Sequence, residues 1–289
     1  MALTLQVREE QDSEANRRQI LELWSEYTDS DLGVPIELLD APVVSNCAVP
    51  FLEGGLALSM YEESTQDKPG HGRICIDECL FRKERAYSLW VLHHECIHLH
   101  LHAGPLSAAH RSTKDTSNKI NDAMLHAGCP GAIAALCRHL ARWVDEIGAE
   151  KYGARHNPSR FVFRAPYYLA ALPDATDVMR RPGAPYVAFS ELVRVGLGLC
   201  IAPDPEARAA IGSLRECAEA LLLRVADSDL AVFLLDQARR WLAIDPDRDD
   251  PHPYDEVCLK LVEPYTIDRI PLQIPPGTET PGTDTRLPL

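Results

Sequence analysis

A chain of 289 residues, 46% hydrophobic and 25% charged, has the material for a folded core, as one large domain or two modest ones. Its net charge of −14 speaks against a nucleic-acid backbone as partner, since that calls for a basic face. No run approaches the roughly 20 apolar residues of a membrane helix, and the nine cysteines contain no C-x-x-C pair, so neither a membrane partner nor a zinc knuckle is expected.

The first residues turn polar by Arg8 and carry no apolar stretch of the signal-peptide kind. With cysteines odd in number and scattered, this predicts reduced thiols and a cytoplasmic location. Residues 13–27, "SEANRRQILELWSEY", predict an amphipathic helix opened by Ser13, with Ile20, Leu23, Trp24 and Tyr27 on one face. The runs "VVSNCAVPFL" and "GLALSMYEE" predict strands, "KPGHG" a turn, and "RICID" a further strand by its alternation. A helix is predicted from about Lys83 to His102, stopped at "AGP". Residues 110–121 read as an exposed connection, and a second long helix is predicted from about Ala132 to Tyr152.

Beyond Pro182 the chain reads as mostly helical. "SELVRVGLGLC", "PEARAAIGSLRECAEALLLRVA" and "DLAVFLLDQARRWLAI" each keep a 3.6-residue apolar rhythm, and Asp227 is the natural cap of the last. The expected class is α+β: a small mixed sheet packed on a metal-binding helix and a second ligand-bearing helix. A catalytic domain is expected over residues 1–172, a helical region over 173–270, and a Pro/Gly/Thr-rich disordered tail over 271–289.

Five of the eleven histidines fall between His93 and His102, around one glutamate. His94-Glu95-Cys96-Ile97-His98 matches H-E-x-x-H. On a helix, residues four apart share a face, so His94 and His98 can bind one ion while Glu95 takes a proton from the attacking water. Zinc suits nitrogen and oxygen ligands with an open position for water, and it usually takes three protein ligands at a catalytic site. The second helix offers the missing one. In "RWVDEIGAEKYGAR", Glu146 and Glu150 lie four apart on one face. One carboxylate can ligate the metal, and the other can accept a hydrogen bond from a ligating imidazole. His139, seven residues before Glu146, is a rival third ligand.

Glu146-x-x-Ala149-Glu150-x-Tyr152-Gly153 resembles the E-x-x-A-[DN]-x-F-A signature that follows H-E-x-x-H in glutamate-zincins, with Glu at position 150 where the signature has Asp or Asn. "HECIHLHLH" is similar to the H-E-x-x-H-x-x-L-H form of the ImmA/IrrE family of intracellular metallopeptidases. The resemblance covers roughly residues 70–155. It implies a zincin-like catalytic domain, Glu146 as third zinc ligand, and a regulatory protein as substrate.

The remaining residues are assigned more modestly. Glu150 and His102 are candidates to support the ligands from behind. His93, His100 and Asp145 are expected to point elsewhere. His156, Tyr167 and Tyr168 are candidates to stabilise a transition-state oxyanion. A di-iron site would need a second E-x-x-H, which the chain lacks, and the acidic run 245–256 breaks the EF-hand pattern at Asp250.

The expected activity is thus a zinc metallopeptidase with one Zn2+ per chain, acting on a protein or peptide that pairs with the "RICID" edge. Two alternatives stand beside it: a metal hydrolase of a small-molecule amide or ester, and a non-catalytic regulatory protein whose metal ties two helices together. The sequence does not specify an oligomeric state.

Overall fold

The computed structural model describes residues 3–6, 36–40, 57–62, 71–76, 85–103, 131–245 and 254–266. The helix predicted at 13–27, the run 43–52, the connection 110–121 and the tail 271–289 lie outside them, as does most of the acidic run. Four short segments pair through their backbones: β1 (Leu3–Gln6), β2 (Ile36–Asp40), β3 (Ala57–Glu62) and β4 (His71–Ile76). Their order is β1-β2-β4-β3. The first three neighbours run parallel, and β3 pairs antiparallel with β4, Ser59 opposite Ile74.

Helices supply the rest: α1 (Arg85–Ala103), α2 (Gly131–His156), α3 (Phe161–Tyr168), α4 (Ala175–Met179), α5 (Ala184–Ile201), α6 (Pro205–Val225), α7 (Ser228–Leu242) and α8 (Tyr254–Thr266). A 3-10 turn, Pro158–Arg160, reverses the chain between α2 and α3. The local signals explain several ends. Asp204 accepts from Ala207 N at 2.8 Å and Asp227 from Leu230 N at 2.9 Å, each filling one of the donors that a helix start leaves open. Gly183 precedes α5 at φ 71°, in the left-handed region where a side chain is strained, and a Cβ there would also meet Leu136 at 2.7 Å.

The expected α+β class is corrected to a mainly α-helical one. The part of the chain whose packing is described is 86% helical and contains no strand. Its one continuous core cluster runs from Ile133 to Val262 and is built on helices, with Trp143, Trp241, Tyr168 and Phe189 fully buried. The physical reason lies in what alternation can report. "RICID" marks a locally extended backbone, whereas fold class follows from who supplies the core, and here the 3.6-residue stripes do so. That cluster crosses residue 172: α2 packs on α5, α7 and α8.

At the centre lies α5. It has the length and apolar composition of a membrane-crossing helix, more than the sequence reading allowed, but 67% of it is buried inside the bundle against α6, α7 and α2. An apolar stretch buried on most sides needs no lipid to explain it. Cys96, Cys137 and Cys258 are buried, and Cys200 and Cys217 are exposed.

Candidate metal centre

The site forms where α1 crosses α2. Every residue from Trp90 to Leu99 is buried, so α1 is wrapped by protein along its middle turns. Small residues on α2 permit the approach. Ala149 is fully buried, and a Cβ on Gly153 would stand 3.1 Å from Ile97 Cδ1. One turn spacing on each helix then sets four polar side chains against one another: His94 and His98 from α1, Glu146 and Glu150 from α2.

His94 Nε2 and His98 Nε2 are 3.0 Å apart, with their rings nearly perpendicular at 87°. The Glu146 carboxylate closes the triangle, Oε2 at 3.3 Å from His94 Nε2 and Oε1 at 3.6 Å from His98 Nε2. All three side chains are buried, at 3%, 7% and 6% exposure. The three form a group that could hold a metal ion, their ligand atoms lying within 4.8 Å of one another.

The donor set fits a tetrahedral cation on two counts. Ligand atoms at about 2.0–2.1 Å from a tetrahedral ion stand about 3.3 Å apart, close to the 3.0 Å between the two imidazole nitrogens and the 3.3 Å between Glu146 Oε2 and His94 Nε2. Buried carboxylates on Glu146 and Glu150 both meet one buried guanidinium, Arg164, and buried Glu95 adds a third carboxylate next to His94, a concentration of negative charge that a divalent cation would offset. His and Glu ligands suit several divalent ions, so the set does not specify zinc.

Electrostatics follow the same geometry. Burial alone would lower the His98 pKa, but its hydrogen bond to Glu146 and the charges of Glu146, Glu95 and Asp145 raise it to about 9. Burial would raise that of Glu146, yet the adjacent imidazoles of His94 and His98 hold its carboxyl well below the usual range. Buried His93 goes the other way, down to about 4, through burial and then through Arg160 and His94. It lines a cavity of about 30 Å³, room for one or two waters, together with His94, Glu150, Arg160 and Arg164.

Glu95, one residue from His94, is 1% exposed, and its charge acts on His98. Glu150 Oε1 lies 3.5 Å from His94 Nδ1, the side of that ring turned away from His98 and Glu146. The side chain of His102 lies outside the described residues. His100 packs against Tyr152 at 5.1 Å between ring centres, and exposed His156 stacks on the same tyrosine at 4.2 Å. His139 is bonded elsewhere, Nε2 to Ser190 Oγ at 2.6 Å. Tyr167 and Tyr168 sit near Arg164. Tyr168 is fully buried, and burial pushes its hydroxyl well above the ordinary range. Tyr167 stacks its ring 5.2 Å from the guanidinium carbon.

Sequence reasoning missed Arg164. It is 4% exposed, donates from Nε to Glu150 Oε1 at 2.5 Å and from Nη2 to Glu146 Oε2 at 3.4 Å, and lies 5.1 Å from the Trp90 ring. The signal was there: one cation inside the otherwise apolar run "FVFRAPYY". No protein-family model matches the chain, and no curated protein or solved structure is significantly similar to it.

Proposed function

We propose that the protein is a metal-dependent hydrolase of the peptidase class, with His94, His98 and Glu146 holding a divalent ion and Glu95 as general base. The observation that carries this reading is the buried triangle itself, with a carboxylate on the same helical turn. A divalent ion held there, zinc being one that suits these ligands, would supply Lewis acidity to the scissile carbonyl and to the attacking water.

The chain's own residues do the rest. Glu95 takes the proton of the attacking water on its carboxylate and later returns it to the leaving amine. Glu150 holds the His94 ring from the Nδ1 side and keeps Nε2 aimed inward. Tyr167 lies against the guanidinium of Arg164, which in turn meets Glu146 and Glu150. A protein or peptide substrate is the class that the H-E-x-x-H and glutamate-helix resemblance favours.

The test is Glu95→Gln, which keeps size and hydrogen bonding but removes the base. Purified wild type and variant are incubated with a peptide library, cleavage is followed by mass spectrometry, and bound metal is assayed in both. The expected result is cleavage by the wild type and a loss of roughly 10²- to 10⁴-fold in the variant, with metal retained. Equal behaviour of the two proteins would leave the ion a tie between helices and end the catalytic reading.

A further inference from the structure

We propose that Arg194 of α5 is a positioning residue for the metal centre: it holds the end of α3, and through α3 the Arg164 guanidinium that bridges Glu146 and Glu150. The proposal rests on the metal reading of the triangle, not on peptidase activity. Arg164 is the link nearest the ligands. Its Nε meets Glu150 Oε1 at 2.5 Å, and its Nη2 meets Glu146 Oε2 at 3.4 Å, an oxygen that also stands 3.3 Å from His94 Nε2. Two buried carboxylates one turn apart on α2 thus share one buried cation, and a displacement of that cation disturbs both.

Arg164 lies about one turn before the end of α3, and that end is gripped from the bundle. Arg194, 5% exposed, donates from Nη1 to the carbonyl oxygens of Tyr167 at 2.6 Å and Tyr168 at 3.2 Å, and from Nη2 to that of Ala170 at 3.1 Å. Carbonyls at a helix end lack the intrahelical donor that earlier ones have, and a planar fork can serve several of them at once. The fork is fixed in turn by Glu191, whose Oε2 accepts from Arg194 Nε at 2.8 Å. The ring of Tyr167 adds a second link. The guanidinium carbon of Arg164 lies 5.2 Å from its centre and that of Arg194 5.7 Å. None of these Arg194 bonds is to a residue of the triangle, so its effect on a bound ion passes through α3 and Arg164.

The test separates lost stability from lost positioning. Zinc affinity, by competition with a chromogenic chelator, and the metal-free melting temperature are measured on full-length wild type, Arg194→Lys, Arg164→Lys, the double variant and Leu222→Ala. Leu222 is fully buried in α6, so its truncation weakens the bundle while removing no Arg194 bond. Lysine keeps the charge of Arg194 without its fork, and Arg194→Lys should bind zinc about tenfold more weakly. Arg164→Lys should lose as much or more, and the double variant no more than Arg164→Lys alone, because one effect passes through the other. Leu222→Ala should melt lower and bind zinc as the wild type does. Tyr167→Leu, which withdraws the ring both guanidinium groups share, should weaken zinc in the same non-additive way and serves where Arg194→Lys does not fold. Wild-type affinity in a folded Arg194→Lys, additive losses in the double variant, or an equal loss in Leu222→Ala overturns the role of Arg194 while leaving the metal site intact. Wild type that binds no zinc ends the metal reading and this one together.

Discussion

Gly153 of α2 lies against Ile97 of α1: a Cβ at position 153 would be 3.1 Å from Ile97 Cδ1, so the isoleucine would have to give by a few tenths of an ångström. That contact sets how closely the two ligand-bearing helices approach, since Ile97 is one residue from His98 and Gly153 is one turn from Glu150. Gly153→Val should overpack the interface, lowering stability by about 1–3 kcal/mol and weakening metal binding with it. Ile97→Val removes the clashing methyl and should recover much of both losses in the double variant. Thermal melts and a metal titration on the three proteins check this; additive losses in the double variant would speak against the contact.

A second close approach supports the ligands from further away. A Cβ on Gly198 of α5 would stand 2.7 Å from Tyr168 Cβ and Cγ, atoms near the backbone of α3 that cannot swing aside. Gly198→Ala should therefore displace α3, destabilise the protein by about 1–3 kcal/mol and loosen the Arg164 contacts to Glu146 and Glu150. The matching measurement is the melting temperature with and without added zinc, and the stabilisation by zinc should shrink in the variant. An unchanged zinc-dependent shift would show that α3 does not communicate with the site.

Acid stability should depend on His139. Burial, with Arg142 nearby, lowers its pKa from 6.5 to about 3, and its Nε2 shares Ser190 Oγ with the indole N–H of Trp143. Below pH 6.5 the unfolded chain takes up a proton that the folded one refuses. The neutral ring's contribution is thus fully present above 6.5 and is lost as pH falls toward 3, by up to about 1.4 kcal/mol per pH unit. His139→Gln has no such proton, so its melting temperature should fall less steeply than that of the wild type between pH 6.5 and 4. Parallel curves would contradict the assignment.

Local chemistry was the legible part of this sequence. The four-residue spacings of His94 with His98 and of Glu146 with Glu150 need only a helix to put each pair on one face. The Asp227 cap likewise follows from neighbours in the chain. Arg164 was not legible, because its partners lie 14 and 18 residues back and meet it only after Pro158–Arg160 turns the chain. No helical period encodes that reversal. The described core joins α2 with α5, helices set apart in the chain by α3 and α4. Apolar stripes announce that faces will be buried, but they do not say against which partner.

The most direct measurement is metal content of purified wild type beside Glu146→Ala, after loading with zinc and gel filtration. About one ion per chain in the wild type and a sharp reduction in the variant is the predicted result, since removing the carboxylate leaves two imidazoles, too few for a tight site. Wild-type protein that retains no ion after loading, or a variant that retains as much as the wild type, would contradict the three-ligand centre.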